Sequence, residues 1–103
     1  MIVGTLILNP TKQNIISLAK GKFNFMLLDF QHSAFTWEIA DFVIETVYTY
    51  TDKKIWIRVS NNNFADINKA YDIGADAVVV PLIDTISDLK NCINAARYKP
   101  LGN

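Results

Sequence analysis

The chain has 103 residues, of which 50% are hydrophobic and 19% charged, enough for one ordinary domain with a buried core and too apolar for a disordered segment. Ten basic residues balance ten acidic ones, which leaves no electrostatic footprint for nucleic acid or an anionic membrane surface. The single cysteine, Cys92, excludes an intramolecular disulfide and a multi-cysteine zinc site.

Ile2 to Leu8 reads as a strand, stopped by Asn9-Pro10. The same segment lacks the basic start of a secretory leader, and no apolar run approaches the roughly 20 residues of a membrane helix, so no membrane partner and a cytoplasmic placement are expected. Thr11 can cap a helix through Lys20 with Ile15, Ile16, Leu18 and Ala19 inward, and Gly21 stands where a C-terminal cap belongs. Phe23 to Phe30 is the second strand. Its nearly continuous apolarity predicts burial on both faces, as in a parallel sheet covered by helices.

Thr36 opens the next helix, with Trp37, Ala40, Val43, Ile44 and Val47 at core-facing spacing. Ile55 to Val59 is the third strand. Asn61-Asn62-Asn63 begins a helix to about Ile73, closed by Gly74. Ala77 to Val80 is the fourth strand, ending at Pro81. Asp84 or Thr85 caps a last helix with Ile86, Leu89, Cys92, Ile93 and Ala96 inward, ending near Arg97-Tyr98. On that helix Cys92 suits a small core residue.

Four strand–helix units in strict alternation predict an α/β chain with a parallel sheet, because right-handed crossovers lay each helix on a sheet face. At roughly 25 residues each, such units suit a TIM (β/α)8 barrel, which would need about 200 to 250 residues. The chain therefore supplies half of such a barrel, a single (β/α)4 unit over residues 1–103. A flavodoxin-like module is disfavoured, because it wants a fifth strand and an acidic pocket where this chain offers Asn9.

In a parallel α/β fold, ligands bind at the carboxyl ends of the strands. Gln31 and His32 stand at the end of the second strand, Arg58 at the end of the third and Pro81 at the end of the fourth. His32 is the only histidine, either a proton carrier near neutral pH or a residue that hydrogen-bonds the following helix. Arg58 is either a carboxylate or enolate clamp, or half of a salt bridge with a carboxylate such as Asp29 or Asp84. Asp72 lies near the end of the third helix, where a carboxylate opposes the helix dipole and is either compensated, for instance by a histidinium, or left in solvent. Asp76 precedes the fourth strand and belongs to the opposite, stabilising face. The four glycines are too scattered for a phosphate loop.

Five segments together resemble the HpcH/HpaI aldolases, metal-dependent pyruvate aldolases of the 4-hydroxy-2-oxoheptanedioate and 2-dehydro-3-deoxyglucarate type. They are Phe23-Asn-Phe-Met-Leu-Leu-Asp-Phe-Gln-His32, Ile57-Arg-Val-Ser-Asn-Asn-Asn63, Ile67-Asn-Lys-Ala-Tyr-Asp-Ile-Gly-Ala75, Val78-Val-Val-Pro81 and Ala95-Ala-Arg-Tyr-Lys-Pro-Leu-Gly102. The resemblance implies a barrel of the phosphoenolpyruvate/pyruvate type and an aldolase-type lyase acting through a pyruvate enolate. It implies that His32 and Asp72 form an acid/base dyad and that Arg58 holds the pyruvate moiety, with Gln31 and Pro81 beside the substrate. A pyruvate-like 2-oxo acid and an aldehyde are the implied substrates and Mg2+ or Mn2+ the implied metal; a homo-oligomer is expected because a half-barrel exposes the apolar edges of its first and fourth strands. Two departures follow. The family usually has Glu where this chain has Gln31, and its metal-binding Glu and Asp come from later strands, so no metal ligand is expected within these residues. A non-catalytic half-barrel that self-associates or binds a small carboxylic acid is the alternative expectation.

Overall fold

In a computed structural model, which describes residues 1–97, strands and helices alternate throughout. They are β1 (Gly4–Leu6), α1 (Lys12–Leu18), β2 (Phe25–Asp29), α2 (Trp37–Tyr50), β3 (Lys54–Arg58), α3 (Phe64–Asp72), β4 (Ala77–Val79) and α4 (Ile86–Arg97). The strands form one sheet in the order β1-β2-β3-β4, and every neighbouring pair is parallel. That is the sheet three successive right-handed β-α-β crossovers generate. The Tyr98–Gly102 part of the fifth family-like segment lies outside the described residues.

The helix starts follow the capping chemistry of the sequence. Thr11, Thr36 and Asn63 each accept a backbone N–H of the first turn with a side-chain oxygen. At α4 the Thr85 hydroxyl accepts from the Asp88 N–H, while the Asp88 carboxylate accepts the N–H groups of Asp84 and Thr85. Gly74 ends α3 at a φ of 114°, where the Ala75 N–H returns to the Ala70 carbonyl. Gly21 has no such role: the only positive-φ glycine among the described residues is Gly74, and α1 closes through Ala19 in ordinary helical geometry.

The outer face of the sheet carries the core. Ile7, Met26, Leu28, Ile55, Ile57 and Val59 pack beneath Ile15 of α1, Ala40, Val43 and Val47 of α2, and Ile67 and Ala70 of α3. The inner face differs. Leu6, Phe25, Leu27, Trp56, Ala77 and Val79 share it by register, and none of them is buried. The expectation that β2 is buried on both faces is thus met on the helix side alone. On the inner side the Phe25 and Trp56 rings stack at 3.7 Å, and the Phe25 ring fills the space a side chain would need at Gly4.

Two expectations need correction. β1 is shorter than Ile2–Leu8 because it has a partner on one side only, although Ile7 still donates to the Leu27 carbonyl. The apolar stripe of α4 is not core: Ile86, Leu89 and Ile93 are exposed, and Ala95 is the helix's one buried residue. α4 lies against α3 and has no neighbour on its other flank among the described elements.

Candidate functional site

Asp29 and Arg58 are register partners at the last positions of β2 and β3, so their side chains leave the sheet side by side on its inner face. The guanidinium takes the carboxylate in a two-point grip, Nε donating to Oδ1 at 3.0 Å and Nη2 to Oδ2 at 2.5 Å. The chain then turns around the same carboxylate. The N–H groups of Gln31 and His32 both donate to Oδ1, at 2.8 and 3.3 Å, an Asx turn that fixes the residues after β2. The His32 ring closes the cluster, its Nδ1 lying 3.2 Å from Asp29 Oδ2 and 3.1 Å from Arg58 Nη2.

Those two ring contacts exclude each other for one proton arrangement. With Nδ1 protonated the ring donates to Asp29; with Nδ1 bare it accepts from Arg58. The first arrangement leaves the Nε2 lone pair facing outward on a side chain that is 66% exposed, the geometry of a general base.

Burial grades across the cluster. Asp29 is 6% exposed, whereas the Arg58 side chain is 28% exposed. The Arg58 guanidinium holds the Asp29 carboxyl well below the usual carboxylate range; burial opposes this, and the Gln31 and His32 donors reinforce it. Asp29 in turn pushes the Arg58 pKa up. A fixed anion thus anchors a fixed cation, and Nη1 is left outside the pair.

Of the residues expected at the site, the structure brings together His32 and Arg58, with Gln31 contributing its backbone N–H. Pro81 lies at the same end, two residues beyond Val79, the register partner of Arg58. Asp72 does not join them. It is the last residue of α3, and four residues later the Asp76 N–H donates to the carbonyl of Ile55, near the amino end of β3. A helix following a strand runs back along the sheet, so its end lies opposite the mouth. Within one chain the carboxylate beside His32 is therefore Asp29, which the sequence offers as a salt-bridge partner for Arg58 and as a possible residue of the mouth. Its signal was present as an acid at the last inner-face position of an apolar strand, in register with the arginine.

Asp76 has the structural role expected of it. Its carboxylate accepts the N–H of Ile55 at 2.9 Å and the Tyr48 hydroxyl at 2.8 Å. Burial, then Asp76, pushes the Tyr48 phenol above its ordinary range, which preserves it as a donor. Cys92 is half-buried, donates to Asn62 Oδ1 at 3.0 Å, and has its thiol pushed up by burial, the opposite of an activated thiolate. Among the described residues no three His, Cys, Asp or Glu side chains gather to hold a metal ion, so the residues present do not fit the divalent site the resemblance implies. No described helix is long and apolar enough to cross a membrane.

A parallel 1-2-3-4 sheet with a helix after each strand defines the class: these residues have the architecture of part of a (β/α) barrel. No protein-family model matches the sequence. A 2-keto-3-deoxy-L-rhamnonate aldolase of Salmonella gallinarum is 27% identical over 84 residues, 82% of this chain and 31% of the relative. One from Klebsiella pneumoniae is 27% identical over 85 residues, 82% of this chain and 32% of the relative. Among solved structures, an HpcH/HpaI aldolase from Desulfitobacterium hafniense superposes with a TM-score of 0.84 at 20% identity, covering 98% of this chain and 39% of that one. A citrate synthase gives 0.85 at 24% identity, covering 98% and 41%. The sequence is thus similar to these aldolases over 82% of its length, and its fold is that of part of the HpcH/HpaI aldolase structure. It spans about a third of the length of these curated relatives.

Proposed function

We propose that these residues form the N-terminal half-barrel of an aldolase-type lyase that cleaves or forms a 2-oxo acid through a pyruvate enolate, with an aldehyde as the second substrate. The observation that carries the proposal is the Arg58–Asp29–His32 cluster at the carboxyl ends of β2 and β3. A guanidinium held in place by a buried carboxylate needs no reorganisation to receive a substrate carboxylate or a developing enolate oxygen. His32, oriented through Nδ1, has Nε2 free to accept the hydroxyl proton of the aldol as the carbon–carbon bond breaks, and to return a proton to the enolate carbon. Gln31 and Pro81 border the space where the acid would sit.

Asp29 is a positioning residue in this scheme, and Asp72 reaches no reacting atom from within the same chain. The family connection makes Mg2+ or Mn2+ the expected metal. Its ligands are not among the described residues, so the chemistry assigned to this chain is anion binding and proton transfer. Cytoplasmic action as a homo-oligomer belongs to the same proposal.

The lone histidine makes the test direct, because its ring gives one assignable pair of proton resonances. Millimolar pyruvate is expected to shift the His32 ring signals, and Arg58→Ala to abolish the shift while the fold is retained. Unmoved His32 signals, or an equal shift in Arg58→Ala, would sink the proposal.

A further inference from the structure

A guanidinium has two edges that can grip a carboxylate, and Asp29 occupies one of them. Nε and one hydrogen of Nη2 go to its two oxygens. Asp29 is 6% exposed and also holds the N–H groups of Gln31 and His32, so neither partner is free to turn. The planar group leaves its opposite edge open, formed by Nη1 and the second hydrogen of Nη2. That second hydrogen already has a neighbour. His32 Nδ1 lies 3.1 Å from Nη2 and 3.2 Å from Asp29 Oδ2.

The needs of the three groups decide where the ring proton stands. The Asp29 carboxylate is already supplied by four N–H groups, from Arg58 Nε and Nη2 and from the Gln31 and His32 backbone. The second Nη2 hydrogen meets one acceptor among the described residues, His32 Nδ1. In the empty site a bare Nδ1 therefore satisfies more groups than an Nδ1–H, and the ring proton stands on Nε2. In that form Nε2 has no lone pair to offer. A carboxylate seated on the open edge in a two-point grip must take the same Nη2 hydrogen. It leaves the Nδ1 lone pair without a donor and 3.2 Å from the Asp29 anion. A proton on Nδ1, donated to Asp29, removes that repulsion.

We propose that Arg58 controls the tautomer of His32, so that an acid seated on the open guanidinium edge switches the ring from Nε2–H to Nδ1–H. The proton leaves Nε2 for solvent and another is taken up at Nδ1, so the ring stays neutral throughout. Nε2 becomes a base only when an acid is in place. The switch rests on the proposed function, in which the site receives a 2-oxo acid, and adds to it how the base is turned on.

A two-bond 1H–15N correlation spectrum of the full chain reads the tautomer directly, at about pH 8.5 where an ordinary imidazole is neutral. His32 is assigned by its absence from the His32→Gln spectrum. Without ligand, Nδ1 is expected at the shift of an unprotonated ring nitrogen and Nε2 at that of an N–H. Saturating pyruvate is expected to exchange the two. Arg58→Ala, lacking the competing donor, should hold the Nδ1–H form with or without pyruvate. Asp29→Asn, lacking the anion that receives Nδ1–H, should hold the Nε2–H form in both conditions. Ring protons that shift with pyruvate while the nitrogens keep their types overturn the switch and leave the pyruvate site standing. Ring protons and nitrogens both unmoved overturn the switch and the proposed function together. An Nδ1–H ring in the empty parent also overturns the switch, and the parent spectra decide all three outcomes whether or not each variant folds.

Discussion

Asp29 is where sequence and site diverge most at the scale of single residues. Its carboxylate collects Arg58, the N–H groups of Gln31 and His32, and the His32 ring, so four groups lose their common partner if it is neutralised. Because its folded pKa lies below its unfolded value of about 3.9, the pair stabilises the fold fully above that pH and loses its contribution as pH falls toward the folded value. Urea midpoints followed from pH 7 downward should therefore fall steeply below about pH 4 in the parent. In Asp29→Asn the midpoint should be lower at pH 7 and the acid limb flatter; parallel limbs would contradict the assigned pair. His32 and Arg58 were legible as candidates because an imidazole or a guanidinium is conspicuous at the end of an apolar strand. The placement of Asp72 was not legible from the family-like spacing, which records neighbours along the chain but not which end of the sheet a helix returns to.

Elements were the most legible part of the sequence, for a physical reason. Proline, glycine and the hydroxyl or amide caps act locally, so Asn9-Pro10, Thr11, Thr36, Asn63 and Gly74 mark boundaries without any tertiary context. Gly74 also yields a clean prediction. At φ 114°, with Ile44 Cγ2 3.4 Å from the position of an added Cβ, Gly74→Ala should cost about 1 kcal/mol or slightly more. Equilibrium urea unfolding checks it, and an unchanged midpoint would deny the left-handed cap. What periodicity could not supply was the covering of α4. The spacing of Ile86, Leu89 and Ile93 identifies an apolar face, and an apolar face looks the same in sequence whether its cover is the same chain or another. The doubly apolar β2 carries the same ambiguity, its inner face being apolar yet open.

On the scale of the whole molecule, the sheet has a finished outer side and an unfinished inner one. The curated relatives are about three times as long as the matched stretch, and among the described residues no three His, Cys, Asp or Glu side chains gather to hold a metal ion. The purified 103-residue chain should accordingly show little or no pyruvate aldolase turnover with added Mg2+ or Mn2+, measured by aldehyde-dependent consumption of pyruvate. Robust turnover lost in both His32→Ala and Arg58→Ala would show that a complete site assembles from these residues alone. The fold class was legible because four units in strict alternation allow few topologies. The count of units that close the barrel was not, because closure depends on edges meeting and not on any local pattern.

The stacked Phe25–Trp56 pair gives the open face an optical signature. The chain has two tryptophans. Trp37 packs edge-on against Phe30 on the helix side, at 4.6 Å, while Trp56 lies on the inner face against Phe25. With Trp37 replaced by Phe, the emission maximum of the remaining indole becomes a hydration gauge for the barrel interior. It reads wet or dry according to what stands over the sheet, with no label to disturb the edges.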